Sequence, residues 1–337
     1  MIIVNMVPDA IGWSPIRYMA ALASELLDAE QLTVDEHAPS TINKALSILN
    51  RRTKHGNGTE SCLMICSGPP DLAKILNIQN WRKRFRFLAA WVIDSFWVDH
   101  FPSSIRLSSP FDHFFVTSME DVDLWGRKTG VPTTWLPWGT DAFRLGGGST
   151  QRDWDITRVG RQPPEWDNDA AASEAAKLLG IKYGGRPSRA ALTSSQNLEF
   201  LMNIYGNSKY ILAFSNSVNP EKYTHPTRQY LTGRWVDALG CGAVVAGIAP
   251  RGPGIDDLLW PGATLDLGSI RRSEGLEVLA SALRKWTPDT AVNNFAMALK
   301  ILDWRWRFKV LADVCGISSV PLAAELKLLQ NRIGAAA

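Results

Sequence analysis

The sequence predicts an α/β protein made of two doubly wound domains facing each other across a cleft, and three observations carry that expectation. Short apolar runs alternate with helical periodicity along most of the chain, the pattern of a parallel sheet covered by helices on both faces. The alternation stops once, over 137–152, and then restarts. At 337 residues the chain is too long for one ordinary core, and two domains of about 150 residues are the natural division.

The elements follow in order. The apolar start MIIVNMV predicts a strand over 2–6, and the stretch rich in Ala, Leu and Met after Pro15 predicts a helix over 16–29. A weaker strand over 31–36 and a helix over 41–51 come next. A strand over 62–66, a helix over 72–84, strands over 87–93 and 114–117, a helix over 120–129 and a strand over 133–136 close the first series. The stretch 137–152 holds Trp138-Gly139-Thr140-Asp141 and Gly146-Gly147-Gly148 without periodicity and reads as a linker. No Gly-Lys-Ser/Thr follows the triple glycine, so it is not a phosphate-binding P-loop. The second series predicts a strand over 157–160, a helix over 168–179, strands over 210–214 and 243–246 flanking a helix over 226–239, a short helix over 255–259 and a strand over 264–267. Helices over 274–286, 290–311 and 322–332 end the chain. The division is therefore 1–140, a linker over 141–155, 156–312, and a helical tail over 313–337. Ligands of doubly wound sheets bind at the carboxyl ends of the strands, which points the chemistry to the cleft.

Composition narrows the class. Hydrophobic residues make up 45% and charged residues 20%, with a net charge of +3, so nucleic acid is not an expected partner. The basic aromatic runs WRKRFRF (81–87) and WRWRFK (304–309) fit helices that bury rings and extend their arginines to water, with phosphate, base or peripheral membrane contact as the lesser reading. Four cysteines lack metal-ligand spacing, and no metal is expected. There is no basic leader or long apolar span, which points to a soluble cytoplasmic protein. Among 14 tryptophans, Trp13, Trp91, Trp97, Trp138, Trp166 and Trp260 lie near expected loops, where they pack or offer stacking faces.

The segment YLTGRWVDALGCGAVVAG (230–247) is the most telling. As a helix from Pro226 capped by Thr224, it places Leu231, Trp235, Ala238 and Leu239 on an apolar stripe, with Thr227, Tyr230, Arg234 and Asp237 beside it. An arginine and a carboxylate at the edge of a helix that feeds a buried strand suit a phosphorylated, hydroxyl-rich ligand. A plain surface ion pair fits the same spacing.

Four blocks resemble the glycosyltransferases of two Rossmann-like domains (GT-B), and most closely the group 1 and CgeB-like families. They are DHFFVTSMEDVDLWGRKTG with VPTTWLPWGTD, ITRVGRQPPEW, TGRWVDALGCGAVVAG and GIDDLLWPGATLDL, in the family's order across most of the chain. The resemblance implies sugar transfer from a nucleoside-diphosphate donor to a saccharide, lipid-linked or protein acceptor, without a cofactor. It implies that Arg161 and Arg234 hold the diphosphate, with His225 and Thr227 near a phosphate or sugar hydroxyl and Asp256 near the sugar. The family's paired glutamates align with Gln229, which is uncharged, and Asp237, which is one methylene shorter and would meet the ribose. The usual lysine after the "GR" strand is absent. On the acceptor side the resemblance points to the loop of Gly12, Ser14 and Arg17, where glycine permits close approach and serine can cap the next helix. AWVIDSFWVDH offers Asp94, Asp99 and His100 at a strand end. If transfer inverts configuration, Asp94 is the best placed base. If it retains configuration, Asp94 only orients the acceptor, with a local capping role as the plain alternative. Asp94 and Arg234 are the expected catalytic residues. A sugar-nucleotide-binding protein without turnover is the alternative. A dinucleotide-dependent dehydrogenase is disfavoured because PDAIGW lacks the G-x-G-x-x-G pattern.

Overall fold

The computed structural model describes residues 1–34, 37, 39–40, 58–107, 109–187, 193–222 and 224–335. The helix expected over 41–51 and the end of the strand expected over 31–36 lie outside them. The chain divides into two compact units, Met1–Pro137 with Arg307–Glu325, and Trp138–Trp306 with Leu326–Ala337.

The first unit is built on a six-stranded parallel sheet: β1 (Ile2–Asn5), β2 (Glu30–Gln31), β3 (Glu60–Cys66), β4 (Phe85–Val92), β5 (His113–Val116) and β6 (Thr133–Trp135), in the order β2-β1-β3-β4-β5-β6. One face buries Ile2, Val4, Met64, Leu88, Ala90 and Phe114 against Leu72, Ile75 and Trp125. The first helix spans Ser14–Leu26, earlier than expected. Trp13 stands at its N-cap, while Ser14 is fully buried inside the helix and donates from Oγ to Ile11 O at 2.8 Å. Ser14 is therefore not the cap. The helix expected over 72–84 is a 3₁₀ segment, Pro69–Asn77, and a separate turn, Trp81–Arg84. Asn80 separates them with left-handed φ of 55°, which no continuous helix contains.

The second unit holds a five-stranded parallel sheet: β7 (Trp154–Arg158), β8 (Tyr183–Gly184), β9 (Ser208–Phe214), β10 (Val244–Ile248) and β11 (Thr264–Asp266), in the order β11-β10-β9-β7-β8. Its core gathers Ile156, Leu212, Phe214, Ala246, Trp166 and Leu276. The helix Ser194–Gly206 was not expected from the sequence. Thr193 and Gln196 form its capping box, and Leu198, Met202 and Tyr205 are its buried stripe. The pattern expected as one helix over 290–311 is two helices, Pro288–Ile301 and Trp304–Cys315. Between them Thr140 pairs with Asp303, exchanging backbone bonds with Leu302 and Trp304. The expected short helix over 255–259 is a run of turns.

The stretch expected to be a loose linker is packed. Asp141, Asp303 and Arg305 form an ion cluster with fully buried side chains, with Arg305 2.8 Å from Asp141 and 2.9 Å from Asp303. A side chain at Gly146 would collide with the carbonyls of Gly240 and Ala142. The WRWRFK run departs from expectation as well. Trp304 and Phe308 are buried, but so are Arg305 and Arg307, so these arginines do not extend to water and present no charged surface to a membrane or a phosphate. In the earlier run Trp81 and Phe85 are buried, Lys83 is exposed and Arg84 pairs with Glu60. All four cysteines are free and buried. Among the described residues, no helix is long and apolar enough to cross a membrane, and no group of three or more His, Cys, Asp or Glu could hold a metal ion.

Candidate functional site

Strand order locates the site in each unit. In the first sheet the chain reverses direction between β1 and β3, in the second between β7 and β9, and the crevice outside the carboxyl ends at such a reversal is where doubly wound sheets bind ligands.

In the second unit β7 runs out into Val159, Gly160, Arg161 and Gln162. Gly160 has φ of 76°, a left-handed conformation that favours glycine. Arg234 lies against it: a methyl group on Gly160 would come within 3.0 Å of Arg234 Nη1. That nitrogen donates to Arg161 O at 3.0 Å and Val159 O at 3.4 Å. From another strand exit, Arg186 Nη2 donates to Gly160 O at 3.3 Å and to Asp167 Oδ1 at 3.2 Å. Three consecutive carbonyls of the turn are thus drawn onto guanidinium groups. Behind them the buried Arg158 is clamped by Asp167 and Asp169, and Asp169 also accepts the Arg186 N–H. Its bonds to Arg158 and Arg186 lower the Asp169 pKa, outweighing burial, which raises it. Gln162 fixes the end of the turn, donating from Nε2 to Val159 O and Leu212 O.

The exit of β9 supplies Ser215 and Asn216. Asn216 donates from Nδ2 to Arg228 O at 2.7 Å and accepts the Tyr230 N–H at 3.3 Å, so one side chain holds an extended segment in place. This explains why the helix expected over 226–239 spans only Gly233–Gly240. His225 Nδ1 accepts the N–H groups of Thr227 and Arg228, a local turn that competes with helix. Thr224 closes a turn with Glu221 instead of capping a helix. Thr227 and Tyr230 therefore share no helical stripe with Arg234. Gln229 Oε1 accepts from Ser215 Oγ and from Arg251 N, both at 3.0 Å, and joins the exits of β9 and β10. A backbone N–H can only donate, so this assigns the oxygen and turns the amide nitrogen the other way.

Asp237 is not brought to this cluster. It is 4% exposed, next to Thr140 and within electrostatic reach of Tyr205 and Cys241. Burial raises its pKa to about 7, with Thr140 lowering it slightly. Asp256 is exposed on the turns after β10.

In the first unit the loop leaving β1 carries Gly12, which is exposed with open space around its Cα. Arg17 is held by its own loop, at 3.3 Å from Asp9 and 3.4 Å from Val7 O. Beside it the exit of β3 is fastened by Asp71 Oδ2, which accepts from Ser67 N, Ser67 Oγ and Gly68 N. Asp94, at the exit of β4, donates its N–H to Ser67 O at 2.8 Å. Its carboxyl is half-buried, and burial, with no cation nearby to oppose it, raises its pKa to about 7. A carboxyl of that pKa changes protonation at neutral pH, as a general base requires.

Sequence reasoning missed Arg186, Ser215, Asn216 and Arg251. The SNS run directly after the apolar strand was the readable signal for the second and third. Arg186 and Arg251 had none.

No model of a known protein family matches the sequence, and no curated protein matches it. Solved structures do. Anabaena Alr3699/HepE in complex with UDP-glucose is similar at 13% identity and a TM-score of 0.55, over 94% of this chain and 99% of that one. The same protein with UDP gives 12% and 0.51 over the same shares. A UDP-forming α,α-trehalose-phosphate synthase from Burkholderia xenovorans is more distant, at 10% and 0.46 over 83% of this chain and 78% of that one. The chain has the fold of GT-B glycosyltransferases, with two Rossmann-like domains.

Proposed function

We propose that the protein is a glycosyltransferase of the CgeB-like kind that moves a sugar from a nucleoside-diphosphate donor to an acceptor hydroxyl, with arginines rather than a resident metal facing the leaving diphosphate. The observation that carries this reading is the Gly160 turn, placed at the β7/β9 reversal with its carbonyls taken up by Arg234 and Arg186. Carbonyls that would repel an anion are covered by positive charge, and the Gly233–Gly240 helix starts beside them. HepE binds UDP and UDP-glucose on the same fold, which supports a donor of that class here.

In this reading Arg161 and Arg234 stabilise the diphosphate as it departs with added negative charge, and Gln229 presents its amide nitrogen to the donor sugar. Asp94 removes the acceptor proton. Because Gln229 carries no charge where the family has an acid, a donor-binding protein without turnover is the second reading.

Thermal unfolding with UDP, GDP, dTDP, ADP and NAD separates these. A ligand at about 100 times its Kd adds about 2.7 kcal/mol and raises the midpoint by several degrees. The expected result is a shift with a nucleoside diphosphate that Arg234→Ala abolishes. A shift with NAD alone, or with none of them, overturns the proposal, and nucleotide binding without sugar transfer to any acceptor favours the second reading.

A further inference from the structure

The end of the second sheet opposite the β7/β9 crevice carries large apolar side chains in water. Strand β7 starts at Trp154, and β8, the short edge strand, pairs with it in parallel. The helix Asp169–Leu178 connects the two, so it runs back along the sheet and ends near the start of β7. Its last residue, Leu178, is 87% exposed, and Leu179 after it is 45% exposed. Gly180, at φ of 71°, then turns the chain away from the helix. Beyond it Lys182 O accepts the Asp155 N–H at 3.0 Å, and Lys182 N donates to Asp155 Oδ2 at 2.9 Å. That exchange brings Trp154, 41% exposed, to the same corner. A methyl group on Gly184 would come within 3.1 Å of the Trp154 ring, so the indole rests on the bare edge strand.

Cations surround these side chains. Lys177 and Lys182 flank the leucines in the chain and are exposed. Lys209 pairs with Asp155 at 2.7 Å and lies 5.3 Å from the centroid of the Trp286 ring. This contact ties in the end of the helix Arg272–Leu283, where Arg284 and Lys285 are exposed. Among the described residues Lys177, Lys182, Arg284 and Lys285 make no ion pair, and the exposed carboxylates nearby that also lack one are only Asp153 and Glu174. The carbonyls at a helix end favour a cation, but they do not account for leucines left in water.

We propose that this corner docks the protein on an anionic lipid surface, with Leu178, Leu179 and Trp154 entering the headgroup region and the basic side chains over the lipid phosphates. Leu178 ends a helix and stands proud of the surface instead of lining a groove. A protein partner would need a pocket moulded to it, whereas a bilayer admits a protruding leucine anywhere. An indole settles at the headgroup level, and lysine stems lie along apolar surface while their ammonium groups stay among the headgroups. The excess of positive charge selects anionic lipid. It opposes a second copy on this face, because a two-fold contact would set the same cations against themselves. The corner lies at the amino ends of the strands and the β7/β9 crevice at their carboxyl ends, so docking leaves that crevice open. The inference does not depend on the transferase reading.

Co-sedimentation of the full chain with vesicles tests it, using phosphatidylcholine alone and phosphatidylcholine mixed with phosphatidylglycerol. The mixed vesicles are expected to bind at least about tenfold more tightly, and added salt should release the protein. Leu178→Ser should weaken binding about tenfold, and Leu178→Trp should keep it. Both variants should melt as the wild type does, since the side chain makes no buried contact to lose. Lys177→Glu combined with Lys182→Glu should erase the preference for anionic lipid. The proposal fails if the mixed vesicles do not bind, if phosphatidylcholine alone binds equally well, or if Leu178→Ser binds like the wild type. Sedimentation of the free protein checks the other occupant. A dimer that Leu178→Ser dissolves would give this face to a second copy and overturn the lipid assignment.

Discussion

The two crevices both lie at the carboxyl ends of parallel strands, one at the β7/β9 reversal and the other one strand beyond the β1/β3 reversal, yet they are opposite in charge. Around Gly160, guanidinium groups cover the backbone carbonyls and the nearest acids, Asp167 and Asp169, are spent on Arg158 and Arg186. Around Asp94 a carboxyl sits half-buried with no cation to offset it. In the proposed reading one crevice receives negative charge and the other a proton. A common scaffold supplies the position, and the few residues that leave each strand supply the chemistry.

The sharpest division of labour is expected from Asp94→Asn. Removing a general base costs about 10²–10⁴ in rate, and the loss should appear in kcat while UDP affinity stays unchanged. The wild-type rate should rise with pH through about 7, because the base must be deprotonated, and the variant should lose that rise. Stability carries the same signature. The folded pKa is raised, so the carboxyl favours folding below its unfolded value and opposes it as pH rises through about 7. The melting gap between variant and wild type should therefore widen in the variant's favour from pH 4 to pH 8. A variant that weakens UDP binding as much as catalysis would dissolve the contrast between the crevices.

Arg234→Ala should cost about 10²–10³ in kcat/KM, as loss of a charge contact at a departing anion does. Here UDP affinity should fall too, and Arg234→Lys should recover little, since one ammonium cannot reach both carbonyls and the ligand. Full rescue by lysine would mean that only charge matters and that the hold on the turn is incidental.

How far the sequence revealed these regions depends on what fixes each one. The strands were readable because buried parallel strands are continuous apolar runs, as at Cys62–Cys66 within β3 and Tyr210–Phe214 within β9. The segment over 226–239 was misread because its shape is set from a distance. Asn216, twelve residues before Arg228 and fourteen before Tyr230, takes the backbone groups a helix would have used. The break at Leu302 has a similar cause, since Thr140 pairs there from far along the chain. Local pattern placed Asp94 at a strand end and Arg234 within an expected helix, and the resemblance supplied the roles expected of both. Arg186 was not identifiable, because nothing local shows that its guanidinium returns to Gly160 O.

Gly160→Ala tests the turn itself. It places a side chain at positive φ, which costs about 1–2 kcal/mol, and presses on Arg234. A melting point lower by several degrees and a roughly tenfold weaker UDP affinity are expected. An unchanged affinity would show that the turn need not hold this shape for the diphosphate to bind.

The smallest effect, and the most selective, belongs to Gln229→Glu. The substitution keeps an acceptor for Ser215 Oγ and Arg251 N, so the two strand exits stay joined. It replaces the amide nitrogen, which the proposal assigns to the donor sugar, by a charged oxygen. If that assignment holds, UDP should bind within about twofold of wild type, while UDP-glucose weakens by about fivefold, or about 1 kcal/mol. Equal weakening of both ligands would locate the residue at the diphosphate instead. Tighter binding of UDP-glucose, with turnover gained, would mean that glutamine holds the site below the activity its fold can support.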